Sequence, residues 1–204
     1  MSRYLSEFRH VQRGATWRNS RHWCGGREAD LQRCYAGDSW IGVNLERFLE
    51  CPYNLAANRQ TRMMADLSLV GCYNQSNLPE EQRNTLLLTS AKRNLASMAF
   101  FGLTEYQKIS QYVFEETFNL RFAIPFEQHN ATVSGATLNE LTESQLAAIK
   151  RANVLDLELY SFAKELMYHR FKRLKVKDVH FAERFQHLGE LPGLDFNWDR
   201  LEKK

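Results

Sequence analysis

The segment Ala99-Phe100-Phe101-Gly102-Leu103 is short, apolar and aromatic, and Thr104 bounds it. That composition reads as a buried β-strand. A buried strand needs hydrogen-bonded neighbours on both edges, and one other candidate exists, Phe122–Ile124, ended by Pro125. Nearly all remaining patterned sequence has the helical period. So the chain reads as the mostly helical portion of an α/β fold, with part of a sheet expected upstream.

The helical segments have readable ends. Ser2–Arg13 is a helix closed by Gly14, and Leu45–Glu50 is a short one stopped by Pro52. Asn58–Val70 follows, with Met63, Met64, Leu67 and Val70 at core spacing. Glu80–Met98 follows Pro79. Thr104 with Gln107 predicts a capping box for a helix to about Phe118. Thr142 with Gln145 predicts another, opening a helix to about Lys175. Residues 15–43 read as an irregular loop rich in Gly, Arg and Trp, and 127–137 are polar and aperiodic. The tail is charged and aromatic, with a turn at Leu191-Pro192-Gly193. There is no internal repeat, and four prolines exclude a long Pro-rich linker.

The 204 residues suffice for one ordinary domain. A net charge of +3 is too small to indicate DNA binding by itself. The charge is uneven, however. Residues 1–33 hold seven Arg and no Lys against Glu7, Glu28 and Asp30. Arg without Lys suits bidentate recognition of carboxylate, sulfate or phosphate, although a solvated basic face has the same composition. Cys24, Cys34, Cys51 and Cys72 fit no zinc or C-x-x-C spacing. Two disulfides in an oxidising lumen and four buried thiols both remain open. Short closable loops favour Cys24 with Cys34 and Cys51 with Cys72. The sequons Asn74-Gln75-Ser76 and Asn130-Ala131-Thr132 lean toward the lumen. No signal peptide and no apolar run of about 18 residues is present, so a secretory protein would need a targeting segment outside this sequence.

On the first helix, Tyr4, Leu5, Phe8 and Val11 share one side, while Arg3, Ser6, His10 and Arg13 share the other. One face can pack while the other presents two guanidiniums, a hydroxyl and an imidazole. Ser6 lies near the helix N-terminus, where an anion is favoured. An ordinary amphipathic helix has the same pattern. Trp17, Trp23 and Trp40 follow, either as stacking surfaces for a sulfated sugar or as core plugs.

The run from Ser2 to Trp17 closely resembles the heparan-sulfate 6-O-sulfotransferase family. The likeness continues through Cys51-Pro52-Tyr53-Asn54-Leu55-Ala56, Asn58-Arg59-Gln60, Val70-Gly71-Cys72-Tyr73-Asn74 and Met98–Glu105. It covers residues 2–170 nearly continuously, and 171–204 read as a C-terminal extension. The resemblance implies a P-loop-like α/β sulfotransferase fold, of which this is the C-terminal, mostly helical portion. It implies a Golgi enzyme of type II topology that uses 3′-phosphoadenosine 5′-phosphosulfate, no metal and no nucleic acid. Its sulfuryl group goes to the 6-hydroxyl of glucosamine in heparan sulfate, and its membrane contact is through an N-terminal anchor missing here.

Carried over by position, Ser6 holds the donor 3′-phosphate, and His10 and Trp17 contact the acceptor. A second donor segment falls on Glu127-Gln128-His129, then Val133-Ser134. The family pattern there resembles Thr-Gln-aromatic, then Arg-Ala, so Glu127, His129 and Val133 depart from it. The phosphosulfate loop, the Leu-Arg-Asp-Pro segment and the catalytic His would all precede Met1, so no catalytic residue is assigned in this chain. The expectation is an enzyme fragment, inactive as written. The alternative is a polyanion-binding remnant without catalysis, and an unrelated helical interaction protein would need the long likeness to be chance.

Overall fold

The computed structural model describes residues 2–17, 22–29, 31–122, 126 and 141–188. Described elements are α1 (Ser2–Gln12), β1 (Trp23–Cys24), β2 (Arg27–Glu28), α2 (Leu45–Glu50), α3 (Arg59–Met64), α4 (Glu80–Ser97), α5 (Gln107–Phe118), α6 (Glu143–Ala152), α7 (Val154–Lys177) and α8 (Phe181–His187). They divide between two compact units, the first drawn from 2–98 and 141–163, the second from 99–126 and 164–188.

The first unit is built on α1. Tyr4, Leu5, Phe8 and Val11 are all at most 5% exposed. They pack with Trp40, Val43, Leu45, Phe48, Ala56 and Ile149. Phe48 is the hub, its ring 5.4 Å from Tyr4, 5.3 Å from Phe8, 5.7 Å from Trp40 and 6.0 Å from Trp17. Buried Asn54 ties this core to the chain. Its amide donates to Tyr4 Oη at 3.1 Å and to the Phe48 carbonyl, and its oxygen accepts from Ala56 N at 2.8 Å. Gly14, at φ +99°, ends α1 as expected.

Two helix N-termini cap each other. Asp156 of α7 accepts from Gln60 N at 3.0 Å, Thr61 N at 2.7 Å and Thr61 Oγ1 at 2.7 Å, at the start of α3. Asn58, just before α3, accepts from Leu155 N at 2.9 Å and Asp156 N at 3.3 Å, at the start of α7. Each side chain meets the orphan amides of the other helix. Downstream, α4 buries Leu87, Leu88, Ala91 and Leu95, and Glu80 and Glu81 in its first turn oppose the helix dipole.

The second unit is aromatic. Tyr112 is 1% exposed, and the rings of Phe171, Phe181 and Phe185 stand 5.6, 5.2 and 5.8 Å from it. Its hydroxyl donates to Asp178 Oδ2 at 3.0 Å. Buried Gln111 and Glu115 fasten the chain that follows α5. Gln111 Oε1 accepts from Phe126 N at 2.7 Å, and Glu115 Oε1 accepts from Phe122 N at 3.1 Å.

Several expectations are corrected. Ala99–Leu103 is not a strand. Ser110 Oγ serves both Leu103 N, at 3.0 Å, and Leu103 O, at 3.2 Å, so one hydroxyl replaces a ladder partner. Phe100 packs on Phe114 at 5.1 Å. With Leu103 satisfied by Ser110, this segment needs no sheet neighbour. The sheet among the described residues is instead the antiparallel β1–β2 hairpin, inside the stretch read as irregular. Gly25 and Gly26, at φ +59° and +77°, form its two-residue turn, which demands positive φ at both positions. Phe122 is outside any strand, and Ala123–Pro125 lie outside the described residues.

The Thr104–Gln107 capping box does not form, because Tyr106 is the N-cap and Thr104 Oγ1 donates to Glu105. The Thr142–Gln145 box does form, with both bonds present. Its helix stops early, since the Asn153 amide donates to the Ile149 carbonyl at 2.8 Å and competes with helical pairing. The segment Asn58–Val70 splits into α3 and a 3₁₀ turn at Leu67–Val70, leaving Met63 67% exposed rather than in the core. The Leu191-Pro192-Gly193 turn lies outside the described residues.

Candidate functional site

The helical phase of α1 sets the site. With its apolar side sealed in the core, Arg3, His10 and Arg13 are exposed and Ser6 is half-buried on the opposite side. None of these four side chains makes a hydrogen bond or ion pair to another described residue. Two guanidiniums, a hydroxyl and an imidazole thus face one way from a rigid support. Guanidinium, hydroxyl and imidazole donors in such an arrangement have the chemistry to hold an oxyanion, and no described residue competes for them.

Trp17 stands beside this helix, pinned at both ends. Its indole N–H donates to Glu7 Oε1 at 2.6 Å, and its ring lies tilted against Phe48 at 6.0 Å. Glu7 in turn pairs with Arg59 Nη1 at 2.5 Å. The carboxylate therefore fixes the indole plane while leaving Trp17 half-buried, with a face to offer. His22 Nε2 lies 3.3 Å from the Trp17 carbonyl, and its ring meets Tyr73 edge-on at 5.6 Å. The other two tryptophans diverge. Trp40 is a core plug stacked on Tyr35 at 5.5 Å, whereas Trp23 is 59% exposed on the hairpin.

Arg62 lies close by, with its Nε on the Ala57 carbonyl at 3.2 Å and its Nη2 on the Leu55 carbonyl. Burial pulls this guanidinium below its ordinary value, against the influence of Tyr73 and Asp156, with Arg59 adding repulsion. Glu7, Arg59 and Arg62 were absent from the sequence-derived site. The only sequence signal for Glu7 was its place between the two faces of α1.

All four cysteines are paired, but not as expected. Cys24 bonds Cys72 and Cys34 bonds Cys51, with Cα separations of 5.8 and 5.6 Å. The hairpin turns Cys24 away from Cys34 toward the end of the 3₁₀ turn at Leu67–Val70, and Cys34 reaches the C-cap of α2 instead. Asn74 is exposed, and its Oδ1 accepts from Ser76 N at 3.1 Å and Ser76 Oγ at 2.6 Å. Glu127, Gln128, His129, Val133, Ser134 and the sequon at Asn130 lie outside the described residues.

The amino-acid sequence is similar to those of known proteins. The profile described as "Sulfotransferase family" matches residues 1–163. Heparan-sulfate 6-O-sulfotransferase 2 of Gallus gallus is 54% identical over 188 residues, covering 90% of this chain and 46% of that protein. Heparan-sulfate 6-O-sulfotransferase 1 of Cricetulus griseus is 55% identical over 175 residues, covering 84% of this chain and 43% of that protein. Heparan-sulfate 6-O-sulfotransferase 3 of Homo sapiens is 54% identical over 178 residues, covering 86% and 37%. The chain thus spans less than half the length of these relatives. With most of its length, including the whole α1 face and the tryptophan beside it, inside the matched region, the chain belongs to the sulfotransferase family.

Proposed function

We propose that this chain supplies donor- and acceptor-contacting residues to an enzyme that moves a sulfuryl group from 3′-phosphoadenosine 5′-phosphosulfate to the 6-hydroxyl of glucosamine in heparan sulfate. The observation that carries this reading is the outward face of α1, where Arg3, Ser6, His10 and Arg13 stand together without a side-chain partner among the described residues. Ser6 donates its hydroxyl to the donor's 3′-phosphate, and Arg3 adds charge to the same anion. The Trp17 face, held by Glu7, carries the acceptor sugar, and His10 contacts the acceptor beside it.

Transfer requires the sugar oxygen to attack sulfur as the bond from sulfur to the donor's phosphate oxygen breaks. The hydroxyl proton passes to a general base. No residue of this chain is assigned that role. Glu127, Gln128, His129, Val133 and Ser134 are proposed as a second donor-contacting segment, and the boundary near residue 170 as the end of the sulfotransferase portion. Two disulfides and an exposed sequon at Asn74 support a Golgi-luminal setting. Among the described residues no helix is long and apolar enough to cross a membrane, and anchoring is proposed to come from a segment outside this sequence.

The test is a chimera. The 175 aligned residues of the Cricetulus griseus relative are replaced by those of this chain, and labelled sulfate transfer to desulfated heparan is measured. The proposal expects donor-dependent 6-O-transfer by the chimera. A folded chimera that binds heparin but transfers nothing would instead favour a polyanion-binding remnant.

A further inference from the structure

Two cavities of the first unit share a wall. One, of about 520 Å³, is lined by Trp17, His22, Trp23, Arg59, Arg62 and Tyr73. The other, of about 330 Å³, is lined by Tyr53, Arg62, Tyr73, Arg83 and Arg151. Arg62 and Tyr73 belong to both, as do Leu55 and Leu67. A path along the surface therefore runs from Trp17 over the Arg62–Tyr73 partition to Arg83 and Arg151.

Both cavities combine aromatic rings with guanidiniums. Aromatic rings come from Trp17, Trp23, Tyr73 and Tyr53, and guanidiniums from Arg59, Arg62, Arg83 and Arg151. Among the described residues the lining acids are Asp66 and Glu80. Asp66 is already engaged, accepting from Ser68 N at 3.0 Å and Ser68 Oγ at 2.6 Å. Arg62 uses Nε and Nη2 on backbone carbonyls, and its Nη1 has no hydrogen bond to a described residue. Arg83 spends Nη1 on the Gln75 carbonyl at 3.0 Å, and Arg151 is exposed with no side-chain bond to a described residue. Rings stack on the apolar faces of sugars, and planar guanidiniums grip sulfate and carboxylate groups. Their presence together in two adjoining cavities suits a polymer whose sugar rings carry anionic substituents.

We infer that the second cavity, with Arg62, Arg83 and Arg151, is a distal subsite that holds anionic sugar units of the acceptor chain beyond those at Trp17. The inference rests on the sulfotransferase reading of the α1 face and extends it from a single acceptor sugar to an extended anionic polysaccharide.

The experiment measures binding of a heparin-derived tetrasaccharide and a dodecasaccharide to the 204-residue chain at one fixed salt concentration. Arg151→Glu and Arg83→Ala/Arg151→Glu are compared with wild type. Arg173→Glu, an exposed site in the second unit, controls for charge reversal. Far-UV circular dichroism and disulfide mapping check the fold of each variant. The double variant should weaken the dodecasaccharide about tenfold, the sum of two contacts to exposed charges, and change the tetrasaccharide less than about twofold. Arg173→Glu should change neither by more than about twofold. Equal weakening of both oligosaccharides, or no weakening, overturns the distal subsite, as does a wild type that holds the two lengths equally. A wild type that binds neither oligosaccharide overturns the α1 reading as well.

Discussion

Replacing Asp156 with alanine removes three hydrogen bonds, from Gln60 N, Thr61 N and Thr61 Oγ1, at 3.0, 2.7 and 2.7 Å. Losing an N-terminal cap costs ~1 kcal/mol. Thr61 is 0% exposed, so its hydroxyl is left buried without its acceptor, which adds ~1–3 kcal/mol. The expected total is ~2–4 kcal/mol. Thr61→Val in the Asp156→Ala background removes the orphaned hydroxyl, so the double variant should cost about 1 kcal/mol less than the sum of the singles. The two-unit architecture makes a single global unfolding energy a poor readout. Hydrogen exchange at Ala65 reports α3 directly, because its amide donates to the Thr61 carbonyl at 2.9 Å. Exchange there should accelerate by about 30-fold or more in Asp156→Ala. A change below about threefold, or strict additivity in the double variant, would refute the reciprocal-cap account.

Peptide mapping of the oxidised chain should recover Cys24–Cys72 and Cys34–Cys51. Loop entropy for separations of 48 and 17 residues puts their contributions at ~4 and ~3 kcal/mol, so opening the longer loop should lower the melting temperature more. Burial alone pushes Asp178 up, but the Tyr112 hydroxyl, the His180 amide and Arg184 outweigh it and hold its pKa below the usual carboxylate range. Its stabilising effect is therefore present above the unfolded value of about 4 and fades as pH falls toward the lower folded value. Asp178→Asn should destabilise the second unit at neutral pH, and the gap to wild type should close in acid; a gap that stays constant from neutral pH to about pH 3 contradicts this. Expressed through a secretory pathway, the chain should lose one glycan-dependent mobility shift on Asn74→Gln; an unchanged band would show that this sequon is not used.

What was legible in the sequence is what depends on near neighbours. The two faces of α1 follow from the phase of Tyr4, Leu5, Phe8 and Val11, and Gly14 marks its end because few other residues accept φ +99°. The Thr142–Gln145 box has both partners within one turn. Contacts across the chain were hidden. Asn58 and Asp156 are 98 residues apart, and nothing local indicates that each caps the other's helix. Loop length alone does not give the cysteine pairing, because the β1–β2 hairpin directs Cys24 to Cys72. That hairpin had a local signal, Gly25-Gly26, masked by two-residue strands too short to show alternation. Ala99–Leu103 misled because an apolar run fits a strand and a side-chain-bonded turn equally well until Ser110 is placed beside it. In the site, the α1 face was readable, but Glu7, which orients Trp17, was not, because its partners lie 10 and 52 positions away.

In the proposed function α1 serves the donor through Ser6 while Trp17, held by Glu7, serves the acceptor. The direct measurement is steady-state kinetics of the chimera with each substrate varied in turn. Ser6→Ala should raise the donor KM by an amount equivalent to ~1–3 kcal/mol, the range for a hydrogen bond to a charged group, with the acceptor KM nearly unchanged. Trp17→Ala should raise the acceptor KM and spare the donor, and Glu7→Gln should follow Trp17→Ala to a smaller degree. Equal effects on both substrates from either variant, or no effect from any, would contradict the division of the site.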